Sequence, residues 1–171
     1  NSSRLPDGGP RRLGGVEEVL VESRQTREGH WLEARHDGYA KRHGYHHLRR
    51  LWLNADGTDL RGEDQLLPVR SPLALARQRT ALPVAIRFHL GAGAVATPTQ
   101  DGRGVLITLP GTGKAERGGQ RDLAWAFRAS FNHAPGKLGI EPSLLVRPDG
   151  GTEEIQQILL TTMVEPGQPA D

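Results

Sequence analysis

The chain has 171 residues, with 22 Gly and 12 Pro, 22 Lys and Arg against 20 Asp and Glu, and a formal charge of +2. That length suits one domain with a usable core. The absence of cysteine excludes disulfides, thiol nucleophiles and Cys-based zinc or iron–sulfur sites. No apolar run is long enough to span a membrane as a helix, so no membrane partner is expected. The pI of about 9.4 raises nucleic acid as a partner. The excess of two charges and the alternation of acids with bases argue against it.

The opening Asn1-Ser2-Ser3-Arg4-Leu5-Pro6 has no hydrophobic signal core and no initiating Met, so the chain reads as starting inside a longer protein. It also fits a glycosylation sequon, uninformative at a chain end. Short β-type segments then follow, separated by turn chemistry. Val16 to Glu22 follows the Gly14-Gly15 break, and Trp31 to Arg35 alternates with period two. Leu48 to Leu53 leads into a turn at Asn54-Ala55-Asp56-Gly57, where Asp-Gly tolerates positive φ. Asp59 to Val69 reads as a further strand. Ser71 to Thr80 has modest helical character but suits a loop equally well.

In the second half, strands are predicted over Pro83 to Leu90, Ala92 to Pro98 and Gly104 to Leu109, with a hairpin signal at Asp101-Gly102. Pro110 to Gln120 reads as a glycine-rich loop. Asp122 to Ala129, Leu138 to Val146 and Glu154 to Thr162 complete the set, the last two separated by Pro148-Asp149-Gly150-Gly151. These about ten strands predict an all-β fold, an antiparallel sandwich or stacked sheets. Residues 1–165 are expected to form a single β-sheet domain, and residues 166–171 a fraying tail.

The richest chemistry lies between residues 36 and 50. His36-Asp37-Gly38-Tyr39 and Tyr45-His46-His47-Leu48-Arg49-Arg50 hold three of the seven His, both Tyr and an Asp. Histidine and tyrosine are general acid/base types, and arginine binds carboxylates bidentately. This mix would suit an anionic sugar; on composition alone a polar hairpin tip is the preferred reading. His46 and His47 point to opposite faces of a strand, so they do not share a metal. His36 and His89 lie at strand ends and are the pair considered for a metal, but no third ligand is identifiable by spacing. No catalytic residue and no cofactor are assigned to this chain.

Other features carry less. Gly111-Thr112-Gly113-Lys114 resembles a phosphate loop, yet Ala115 stands where Ser or Thr is needed and no helix is expected to follow. Trp31, Trp52 and Trp125 fall within strand patterns and are expected in the core, with sugar stacking the alternative. Glu63 and Asp64 are adjacent, face opposite ways on a strand, and make a poor catalytic dyad.

An ordered set of motifs begins with Leu32-Glu33-Ala34-Arg35-His36-Asp37-Gly38-Tyr39, Gly44, His47, Arg50-Leu51, Asp56-Gly57 and Leu60-Arg61-Gly62-Glu63-Asp64. It continues with Arg87-Phe88-His89-Leu90, Trp125-Ala126-Phe127-Arg128, Ile140-Glu141-Pro142-Ser143 and Gln156-Gln157-Ile158-Leu159-Leu160. Taken in this order, the set resembles the heparinase II/III-like family of bacterial polysaccharide lyases. Two stretches depart from the family: Leu90-Gly91-Ala92-Gly93, where Pro is expected, and the insert-like Gly111 to Arg121.

The resemblance implies a parent with an N-terminal α/α toroid before a domain of stacked antiparallel sheets. It implies cleavage of an acidic polysaccharide by β-elimination, with this chain inactive alone. A structural divalent metal such as zinc in the parent is a further implication. The family's catalytic and metal-binding residues match no position here, and none is carried over. His36, Tyr39, His47 and Arg50 are the substrate-binding candidates, on one wall of the parent's groove. The compartment stays open between bacterial periplasm and cytoplasm. The alternative reading is a non-catalytic carbohydrate-binding or structural β-module.

Overall fold

The computed structural model describes residues 16–69, 80–114, 120–132 and 135–165. Among them are ten strands in three antiparallel sheets, the all-β architecture expected from the turn spacing. Two expectations, for Ser71 to Thr80 and for the tail 166–171, fall wholly or almost wholly outside the described residues, as does the sequon at Asn1. The chain divides into two compact units, Asn1–Leu82 with Val164–Asp171, and Pro83–Met163.

The first unit is a four-stranded meander: β1 (Val19–Gln25), β2 (Gly29–His36), β3 (Tyr45–Asn54) and β4 (Leu60–Pro68), in that spatial order. β2 and β3 are joined by one helical turn, α1 (Ala40–His43), closed by Gly44 at φ 75°. The β3–β4 turn falls where Asp56-Gly57 put it. Gly57 adopts φ 69°, and the Asn54 side-chain oxygen accepts the backbone N–H of Thr58 and Asp59. Tyr45 and Leu48 are buried, and the Tyr45 hydroxyl donates to the Glu165 carbonyl at 3.2 Å. β1 begins three residues later than the alternation predicts, because the stretch before it is held by Asp37. One Asp37 carboxylate oxygen accepts the N–H of Glu17 at 2.9 Å and of Glu18 at 3.2 Å.

The second unit pairs two three-stranded sheets. One has the order β5 (Leu82–His89), β10 (Thr152–Val164), β9 (Gly136–Val146). The other runs β6 (Val95–Pro98), β7 (Gly104–Lys114), β8 (Gln120–Arg128). Their inward residues interdigitate. Ile158 with Phe88, Leu138 and Ile140 from one sheet meets Ala96, Val105, Ile107 and Phe127 from the other. Val105 and Ile158 are wholly buried, and the Phe88 and Phe127 rings lie 5.2 Å apart. Gln156 adds a polar tie, its side-chain oxygen accepting the Ala96 N–H at 2.7 Å.

Here two boundaries differ from expectation. Pro110 to Gln120 is not simply a loop: β7 runs on to Lys114 across a register shift between Leu109 and Gly113. Gly111 makes this possible with φ 66°, and its N–H is taken up by the Asp122 carboxylate at 3.0 Å. Ala92 to Ala94 forms a turn with Gly93 at φ 74°, so β6 starts only at Val95. The departure from the family pattern at Leu90-Gly91-Ala92-Gly93 therefore sits in a turn, where glycine is at home.

Candidate functional site

The histidine-rich stretch folds as the end of β2, the α1 turn and the start of β3. Pairing sets His36 directly opposite His47 and Arg49 opposite Asp64, all on one face of the sheet. The two imidazoles lie 5.0 Å apart, edge to face. Tyr39 sits over both, 5.5 Å from His36 and 6.3 Å from His47, with His43 of α1 6.2 Å further out.

These rings belong to a directional chain of hydrogen bonds. The Gly38 N–H, which can only donate, meets His36 Nδ1 at 3.1 Å. That makes Nδ1 an acceptor and puts the ring proton on Nε2. His36 Nε2 lies 3.1 Å from His47 Nδ1, and His47 Nε2 lies 2.7 Å from Asp64 Oδ1. The arrangement is self-consistent with both rings neutral and every proton pointing toward Asp64. Arg49 completes the carboxylate's shell through Nε at 2.7 Å and Nη2 at 2.9 Å. Burial pushes the Asp64 carboxyl up, but the bonds from His47 and Arg49 outweigh it and hold its pKa below the usual range. Burial, reinforced by His47 and His46 and opposed by Asp37, pulls the His36 pKa down. Burial and Arg42 do the same to His43.

His36, Tyr39 and His47 thus come together as expected. Arg50 does not join them. It lies on the opposite face of the sheet, where Glu33 and Glu63 stand in register on either side of it. Its Nε donates to Glu33 at 2.6 Å and its Nη1 to Glu63 at 3.1 Å. A strand cannot present residues 47 and 50 to one ligand, because odd spacing puts them on different faces. Asp64 is the residue that sequence reasoning missed. The same alternation that spoils Glu63-Asp64 as a dyad aims Asp64 at the histidine face and Glu63 at Arg50.

His89 belongs to the other unit, on β5, where its Nδ1 lies 2.8 Å from the Ser143 hydroxyl. The pair considered for a metal is thus divided between the two units. The His36–His47 pair is no better suited to zinc. Its two nitrogens are close enough to share an ion, but the Gly38 N–H keeps the proton on His36 Nε2, the atom that would have to bind. Among the described residues no group of three or more His, Asp or Glu gathers to hold a metal. The His36–His47 pair by itself does not fit such an ion. Among the described residues no helix is long and apolar enough to cross a membrane.

The tryptophans depart most from expectation. Trp31 and Trp125 are 44% and 46% exposed. Trp31 pairs with Trp52 across β2 and β3, ring centroids 6.1 Å apart, and Arg61 stands 5.2 Å over the Trp52 ring. Trp31 and half-buried Trp52 lie side by side on one face of the first unit's sheet, and Trp125 lies on β8 of the second unit.

Comparison with known proteins bears on the whole chain. The family model described as "Heparinase II/III-like, C-terminal" matches residues 1–170. A curated relative, FtsZ-localized protein C of Caulobacter vibrioides, is 37% identical over 152 residues, which is 85% of this chain and 26% of that protein. The chain therefore spans about a quarter of that relative's length. No solved structure matches it significantly. With its ordered motifs on a fold of stacked antiparallel sheets, the chain belongs to the heparinase II/III-like family, of which it is the C-terminal domain.

Proposed function

We propose that this chain is the non-catalytic β-module of a longer heparinase II/III-like protein, serving to bind and assemble rather than to cleave. The observation that supports this reading is the closed hydrogen-bond chain from Gly38 to Asp64. A β-elimination needs a base with a lone pair turned toward the carbon acid, and a cation to neutralise the adjacent carboxylate. All four ring nitrogens of His36 and His47 are engaged within the protein. Arg50 is committed to Glu33 and Glu63 on the other face. The relative is named for its localisation with FtsZ. A like role here predicts that the intact protein cosediments with FtsZ polymers.

The second reading keeps the parent as a lyase on an acidic polysaccharide, with this module packed on an N-terminal toroid as one wall of its groove. The gathering of His36, Tyr39 and His47 on one face favours it. Ultraviolet absorbance from unsaturated uronate products separates the two. On the first reading neither this chain nor the intact protein produces it from heparan sulfate or alginate. Product from the intact protein that disappears in His47→Ala would establish the second.

A further inference from the structure

The face of the first unit opposite the histidines is ordered in rows. Strand register places Arg24, Trp31, Trp52 and Arg61 in one line across β1 to β4. One pleat further along, Glu22, Glu33, Arg50 and Glu63 form the next line on the same face. We propose that the Trp31–Trp52 row, with the Glu33–Arg50–Glu63 row beside it, is a binding platform for an uncharged, β-linked pyranose chain.

Three features support this. The first is aromatic surface kept in water: Trp31 is 44% exposed on a sheet face, although a buried indole would be the more stable arrangement. Trp52 is braced from one side by Arg61, which leaves Trp31 to offer the open ring. A pyranose with equatorial substituents has a face of axial C–H groups that is apolar and ring-sized, and it lies flat on an indole. The second is the placing of hydrogen-bond groups. Glu33 follows Trp31 by two residues on the same strand, about 7 Å away. Its carboxylate can accept hydroxyl protons from a sugar stacked on that ring, while the Arg50 fork holds the carboxylates in place.

The third feature is charge, and it selects the ligand. The two rows carry three arginines and three glutamates. Arg50 is bound to Glu33 and Glu63, and Arg61 is bound to Asp59 at 2.8 Å. Of the three arginines only Arg24 makes no ion pair among the described residues, so a uronate polymer would have to break these pairs to find a second cation and would meet the carboxylates directly. An uncharged sugar pays neither cost. The platform is thus distinct in face and in ligand chemistry from the acidic-polysaccharide groove of the second reading. It rests on the proposed function only in that the glycan is held and not cut.

The test uses the intact protein with cellohexaose, chitohexaose and an alginate-derived hexamannuronate, read by calorimetry and tryptophan fluorescence. One of the two uncharged hexasaccharides is expected to bind, with little dependence on salt, and hexamannuronate to bind more weakly. Trp31→Ala is expected to weaken binding about tenfold or more, and Trp31→Tyr by less, because a phenol ring restores part of the stacking surface. Trp125→Ala, an equally exposed indole of the other unit, is expected to bind as wild type. Thermal unfolding of each variant shows that the fold is retained. The platform is overturned if neither uncharged hexasaccharide binds, if hexamannuronate binds more tightly, or if folded Trp31→Ala binds as wild type. Cleavage of a bound hexasaccharide would instead overturn the non-catalytic reading and leave the platform standing.

Discussion

Replacing Asp64 by Asn removes the charge on which the histidine chain ends and changes little else in size. Asp64 is 15% exposed and accepts three bonds, one from His47 and two from Arg49. A largely buried hydrogen bond to a charged group contributes about 1.5–3 kcal/mol. The Arg49 fork is a third exposed and adds about 0.5–1 kcal/mol after screening. Asn keeps one acceptor oxygen. Its amide, however, turns donors toward His47 or Arg49. If the His47 proton moves to Nδ1 to suit the amide, it then faces the proton on His36 Nε2. The expected net loss is about 2 kcal/mol, or about 4–8 °C in Tm for a chain of this size. The pH dependence has a definite sign. The folded carboxyl titrates below its ordinary 3.8, so the stabilisation is complete above that value and is lost as pH falls through the lower, folded one. Urea and thermal unfolding of both proteins at neutral pH and near pH 3 make the comparison. A difference below about 0.5 kcal/mol at neutral pH, the scale of an ordinary surface change, would refute the reasoning. So would a difference that does not shrink in acid.

His36 titrates below its ordinary 6.5, so it makes stability decline as pH drops from that value toward its folded pKa; NMR titration should find the depressed value, and His36→Gln should flatten the decline. Ile158→Ala, at a fully buried position between the two sheets of the second unit, should cost about 2–5 kcal/mol. Leu60→Ala, 66% exposed, should stay within about 0.5 kcal/mol, and equal melting losses would contradict the core assignment. β1 is one of the two edge strands of its four-stranded sheet, with Val19, Leu20 and Val21 all exposed. Sedimentation should show concentration-dependent association that Val21→Lys reduces.

Much of the fold was legible because it is written locally. Alternation in Trp31 to Arg35 and the Asp-Gly pairs at 56–57 and 101–102 mark strands and turns without reference to the rest of the chain. The missed features depend on distant residues. Nothing near Val16 says that Asp37 will hold Glu17 and Glu18, and so delay β1. The continuation of β7 needed Asp122 to receive the Gly111 N–H. At the site, the meeting of His36, Tyr39 and His47 was readable from their clustering across one strand connection. The placement of Arg50 beside them failed on strand parity, a rule already applied to His46 and His47. Asp64 could have been found the same way, once β4 was set in register with β3. The tryptophans were misplaced because a strand pattern shows alternation but not which face finds a covering layer.

The hydrogen bond from Tyr45 to Glu165 joins residues 120 positions apart. The first unit draws on both ends of the chain, and the whole of Pro83–Met163 is threaded between its two parts. During synthesis, β1 to β4 therefore emerge long before Val164, which is 2% exposed, can take its place. The Tyr45–Glu165 bond can form only after the residues of Pro83–Met163 have been made. Loop closure over that distance is an entropic cost that only the completed insert shortens, since it brings its own two ends to fixed positions. A chain stopped before Val164 would retain the strands of the meander while removing both its last buried side chain and the carbonyl that receives the Tyr45 hydroxyl.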